Sequence, residues 1–167
     1  ALADAASVWL AEQGGGLLLV DGSDDVIAAV DKMRRSSPSP GTPVVGGPVW
    51  GLHQFYALAG DQAEGAIFVT GAPLPADAGR DELAGGQFDG FLAGYQASSL
   101  GADPGPFALP AYQATWLAIA YVARAWGIES IDTPVSHLTF GSGRRLDAPI
   151  YLYRWENGHR TLIEQLR

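Results

Sequence analysis

The chain has 167 residues, 47% of them hydrophobic, enough to bury the core of one ordinary domain or of a large part of a two-lobed protein. Its formal net charge of −8, with Lys and Arg scattered apart from the pairs Arg34-Arg35 and Arg144-Arg145, excludes a surface that tracks nucleic-acid phosphates. The absence of cysteine excludes disulfides, thiolate metal sites and cysteine nucleophiles, and the longest unbroken apolar run, 116–123, falls far short of the ~20 residues a membrane span needs.

Residues 5–13 read as the end of a helix, stopped by Gly14-Gly15-Gly16, and no basic-then-apolar export signal is read ahead of them. Leu17-Leu18-Leu19-Val20 is a continuous apolar run of the kind found in buried parallel strands. After Gly22, Ser23 is suited to cap a helix, Asp24 and Asp25 fall where the helix dipole favours acids, and Val26, Val30 and Met33 form an i, i+4, i+7 stripe. A Ser/Pro/Gly loop over 36–43 leads to Val44-Val45, a second short strand, and to a Gly-Gly-Pro turn at 46–48. Residues 50–59 predict a short helix stopped by Gly60, and 66–70 a third strand. Strand, helix, strand, helix, strand within so short a stretch is the pattern of right-handed crossovers in a parallel sheet.

Beyond a long loop at 71–79, Phe88, Phe91, Leu92 and Tyr95 mark one face of a helix that runs to about 100, where Gly101 to Pro106 breaks it. Pro110 suits the opening of a strongly apolar helix through Trp126 with Gly127 as its cap; being apolar all round, it is expected to be buried on most sides. Residues 150–155 and 159–163 flank Asn157-Gly158, a strong signal for a two-residue hairpin. The fold class expected is α/β: a parallel sheet with flanking helices and a C-terminal antiparallel hairpin.

Catalytic chemistry finds little support in these residues. His53, His137 and His159 are isolated from one another, Ser142 in Phe-Gly-Ser-Gly is no nucleophile elbow, and the glycines at 14–16 precede a strand where a dinucleotide fingerprint follows one. Asp21, Asp24 and Asp25 hold only part of a calcium-loop spacing, and a solvated helix start explains them. No cofactor and no metal site are expected. Trp9, Trp116, Trp126 and Trp155 read as core or interface residues.

In an open parallel sheet, ligands sit beyond the carboxyl ends of the strands. That rule singles out Gly22 and Ser23 after the first strand, 48–50 after the second and 70–72 after the third. Ser23 has two readings, a hydroxyl offered to a ligand or a helix cap; Trp50 likewise either walls an apolar pocket or packs in the core.

Five stretches in order, LLLVDGSDDVIAAVDKMRR at 17–35, VVGGPVWG at 44–51, LAGDQAEGAIFVTGAPLP at 58–75, FDGFLAGYQASSLGADPGPFALPAYQATWLAIAYVARAWG at 88–127 and IYLYRWENGHRTLIEQL at 150–166, resemble the second half of the type I periplasmic solute-binding proteins of the branched-chain amino-acid (Leu/Ile/Val-binding) type. The resemblance covers almost the whole chain and implies a longer, two-lobed protein with most of the N-terminal lobe missing here. It divides the chain into a ligand-binding lobe segment at 1–80, a helical segment at 81–136 that returns toward the missing N-terminal lobe, and C-terminal strands and hairpin at 137–167. It implies capture of a small, amino-acid-like ligand between the lobes for an ABC-type permease, in a periplasmic or extracellular setting that allows a lipid anchor.

By resemblance, Phe107 lies where the family carries a Phe against the ligand side chain, and Tyr112 matches a recurrent Tyr at the start of the following helix. Each also has a packing reading. The resemblance further implies an acid near position 48 for the ligand's ammonium, and here that position is Pro48. The alternative function is a cytoplasmic ligand-sensing domain of a signalling or transcription-regulator chain, and an isolated half of such a fold could pair with itself as a homo-oligomer.

Overall fold

The computed structural model describes residues 17–18, 25–36, 44–74, 88–124, 129–141, 144–145 and 148–166. They cluster into two compact units, one from the residues up to Gly71 together with Ile150–Leu166, the other from Ala72–Pro149. The terminal hairpin therefore belongs with the first strands of the chain.

In the first unit, β1 (Leu17–Leu18), β2 (Val44–Gly46) and β3 (Ile67–Thr70) are parallel neighbours, with Leu17 opposite Val44 and Val45 opposite Ile67. Two further strands, β7 (Ile150–Glu156) and β8 (His159–Leu166), complete a sheet of order β1-β2-β3-β7-β8. β7 runs antiparallel to β3, with Phe68 facing Tyr153, and β8 antiparallel to β7. The turn between them has both central residues in the left-handed region, Asn157 at φ 53° and Gly158 at φ 75°, as the Asn-Gly pair predicts. Leu152 faces Glu164 while the next residue, Tyr153, faces Leu162, so Ile163 is a bulge on β8.

Strand alternation sorts the unit's core onto two faces. Val45, Ile67, Val69 and Leu152 form an aliphatic face, joined by Ile150, Ile163 and Leu166. The other face is aromatic: Phe68 stacks on Tyr153 at 5.6 Å, Trp50 on Phe55 at 4.8 Å, and Trp155 meets Tyr56 at 4.8 Å. Helix α1 (Val26–Ser36) buries Ala29, Val30 and Met33; of the stripe read from its periodicity, Val30 and Met33 are buried and Val26 is half-buried. Its first turn is satisfied by Asp25, whose carboxylate accepts the Ile27 amide at 2.9 Å, and near its end Arg34 donates to the Leu58 carbonyl at 2.7 Å. Helix α2 (His53–Ala59) follows a single 3-10 turn at Pro48–Gly51 and ends where expected, at Gly60 with φ 60°.

The second unit pairs helices α3 (Asp89–Ser98) and α4 (Ala108–Arg124) with a small antiparallel sheet of β4 (Ser130–Thr133), β5 (Ser136–Gly141) and β6 (Arg144–Arg145). Its core gathers Ala72, Phe88, Phe91, Leu109 and Val135, with Tyr95, Ala108 and Tyr112 against them. Gln113, buried on α4, donates from its amide to the Ser136 hydroxyl at 2.8 Å and ties the helix to β5. One expectation is corrected here. α4 is not buried on most sides: Val122 is 81% exposed, Ile119 54% and Tyr121 49%. The side chains that made the helix look central are apolar, but among the described residues no element covers them.

Candidate functional site

The three parallel strands place their carboxyl ends along one edge of the first unit's sheet, the edge at which such sheets receive ligands. After β2 that edge is built by an unusually tight turn. Pro48, with φ fixed by its ring, opens the 3-10 turn; the amide of Trp50 donates to the Gly47 carbonyl and that of Leu52 to Val49, each at 3.1 Å. The Trp50 indole lies so close over Gly46 that a Cβ there would occupy the ring, and a Cβ on Gly51 would come within 2.5 Å of the Phe68 ring. Glycine at both positions is thus a packing requirement: it lets two aromatic rings lie directly on the backbone.

Trp50 itself is fully buried, and among the described residues its indole N–H has no hydrogen-bond acceptor. Two side chains from the far end of the chain reach the same turn. The Trp155 indole donates to the Trp50 carbonyl at 2.7 Å, and the Arg160 guanidinium donates to the Gly51 carbonyl at 3.1 Å. Both donors are buried. After β3, Thr70 is buried and Gly71 exposed. Gly22 and Ser23 lie outside the described residues.

In the second unit, Phe107 stands just before α4 and is 45% exposed. Tyr112, one turn into the helix, is half-buried, with its ring 5.0 Å from Phe91 and 6.3 Å from Trp116. Trp50 therefore belongs to one unit, and Phe107 and Tyr112 to the other. Sequence reasoning overlooked the hydrogen-bonding roles of Trp155 and Arg160. A signal was available: each stands two residues out from the Asn157-Gly158 turn, so hairpin pairing puts them opposite one another on one sheet face.

Among the described residues, the titratable groups bring no candidate reaction centre together. The Tyr56 hydroxyl donates to Glu64 at 3.1 Å, and that bond, with some burial and the charges of Glu64 and Asp61, raises its pKa above the ordinary 10.0. His137 pairs with Asp132 at 2.6 Å on the exposed β4–β5 hairpin. Among the described residues, no group of three His, Asp or Glu side chains is placed to hold a metal, and no helix is long and apolar enough to cross a membrane.

Solved structures share this arrangement. The leucine-binding protein LivK of Thermotoga maritima superposes with a TM-score of 0.68 at 12% identity, over 98% of this chain and 48% of its own. The fold is that of the type I periplasmic binding proteins. LivJ of Streptococcus pneumoniae, a branched-chain amino-acid transporter substrate-binding protein solved with isoleucine, matches with a TM-score of 0.64 at 16% identity, over 95% of this chain and 47% of its own. A solute-binding protein of an ABC transporter from Rhodopseudomonas palustris, in complex with benzoate, matches with a TM-score of 0.61 at 16% identity, over 96% of this chain and 46% of its own. The chain spans about half the length of these type I structures. No family model and no curated protein matches it by sequence.

Proposed function

We propose that this chain is the ligand-binding part of a solute-binding protein, which captures a small amino-acid-like carboxylate in a cleft against a second lobe and makes or breaks no bond in doing so. The observation that carries the reading is the parallel layer β1-β2-β3 with a rigid, glycine-dependent turn at its carboxyl edge. Support for the ligand class comes from the named ligands of the similar structures: leucine, isoleucine and benzoate are all small carboxylates with an apolar body.

In this reading Gly22 and Ser23 offer hydrogen bonds at a helix end, Trp50 is the apolar floor beneath its turn, and Phe107 and Tyr112 contribute aromatic surface. The second lobe covers the exposed face of α4 and closes over the ligand by hinge motion. The filled protein delivers its solute to an ABC-type permease outside the cytoplasm. Pro48 stands where an acid would meet an ammonium group, so benzoate belongs beside the amino acids in any screen.

Thermal-shift measurements on the protein in its full natural length, with L-leucine, L-isoleucine and benzoate as probes, test the reading. A ligand at 100 times its dissociation constant adds about 2.7 kcal/mol of stability, and a clear rise in melting temperature with at least one probe is expected. Flat curves with all three count against it.

A further inference from the structure

A single 3-10 turn has few and poorly aligned bonds of its own, so a stretch as short as Pro48–Gly51 depends on its surroundings for a fixed path. Two of its successive carbonyls, those of Trp50 and Gly51, are taken by side chains more than a hundred residues away: the Trp155 indole at 2.7 Å, 105 positions on, and the Arg160 guanidinium at 3.1 Å, 109 positions on. Because a peptide unit is planar, fixing its carbonyl oxygen fixes its N–H as well, so these bonds orient two consecutive peptide planes of the turn. Trp155 and Arg160 face one another across β7 and β8 and rise from the same sheet face.

The hairpin that carries them is itself secured. The Asn157 amide donates to Glu64 at 2.7 Å, the Gly65 amide to the Trp155 carbonyl at 2.9 Å, and the Trp155 amide to the Ala66 carbonyl at 3.0 Å. A buried guanidinium is costly to desolvate, more than packing alone warrants, and a charge-assisted bond to a backbone carbonyl recovers part of that cost.

We propose that Trp155 and Arg160 are positioning residues for ligand capture: from the closing hairpin they hold the turn after β2 in its binding shape. This rests on the reading above, that the turn belongs to the ligand edge. The two donors act on backbone oxygens and touch the ligand nowhere, so they set affinity through geometry.

Three variants of the full-length protein separate this from ordinary packing: Trp155→Phe keeps a ring and loses the N–H, Arg160→Met keeps the aliphatic bulk and loses the charge, and Arg160→Lys keeps a cationic donor. Amide hydrogen exchange should speed up about tenfold or more at Trp50, Gly51 and Leu52 in the first two, with β3 amides changing less than about twofold and Arg160→Lys in between. Calorimetry with whichever of L-leucine, L-isoleucine and benzoate the unaltered protein binds should show affinity falling about fivefold or more in the same order. Unchanged exchange at the turn, or an equal rise through the whole unit, overturns the positioning role. So does local loosening that leaves affinity intact. An unaltered protein that binds none of the probes sinks the solute-capture reading and the ligand half of this proposal together, while the exchange data still decide whether the hairpin holds the turn.

Discussion

The two units solve the problem of burial differently. The sheet unit closes on itself: strands from both ends of the chain meet, one face fills with aliphatic side chains, the other with stacked rings, and even the carbonyls of the buried turn after β2 are claimed by Trp155 and Arg160. The helical unit is left open. Its core of Phe88, Phe91 and Leu109 is in place, yet α4 shows Ile119 and Val122 to solvent. An element with apolar residues on every side thus still shows one face to water among the described residues.

The comparison breaks most visibly if the sheet unit is opened. Trp155→Ala removes a fully buried ring that touches Tyr56, His53 and Phe68 and leaves the Trp50 carbonyl without its donor. A loss of about 3–5 kcal/mol in urea unfolding is expected. A second, smaller insult is Gly46→Ala, which adds one methyl group but puts it into the Trp50 ring. A cost of about 1–3 kcal/mol is expected, accompanied by a change in the near-ultraviolet signal of the displaced indole. If Gly46→Ala melts like the parent protein, the turn is not the rigid feature described above.

Most of the sheet unit was legible in the sequence because its signals are local. The apolar runs at 17 and 44, the stripe Val26, Val30, Met33 and the Asn157-Gly158 pair each specify their element within a few residues, and the structure has those elements, Val26 lying only half-buried on its stripe. What could not be read were relations across long separations. Pairing β7 with β3 needs contacts between residues some eighty positions apart, and periodicity carries no information on that. The exposure of α4 was missed for the converse reason, since hydropathy says that a face wants cover but not which chain supplies it. At the ligand edge, geometry singled out the turn at 48–50 but not the donors that hold it.

The open helix offers a sharper, context-dependent test. Replacing Ile119 and Val122 together by Ser should leave the stability of this chain within about 0.5 kcal/mol of its parent, because both side chains are already in water. The same pair in the full-length protein should cost about 1–3 kcal/mol if a second lobe covers them. Equal, small effects in both settings would mean that α4 faces solvent in the complete protein as well.

The smallest effect concerns the anchor of the hairpin and appears only in alkali. Glu64 accepts from the Tyr56 hydroxyl and from the Asn157 amide, and the first of these bonds is the main cause of the raised Tyr56 pKa. A raised value means that the folded chain keeps this proton at a pH where the unfolded chain, with its ordinary pKa of 10.0, has begun to lose it. The associated stability is therefore complete below about pH 10 and is lost as pH climbs through the folded-state value. Tyr56→Phe removes both the bond and the titration, so its melting temperature should start slightly lower at neutral pH and fall less steeply in that alkaline window. Parallel curves for the two proteins would show that the Tyr56–Glu64 bond does not help to hold the hairpin, and that Glu64 acts through Asn157 alone.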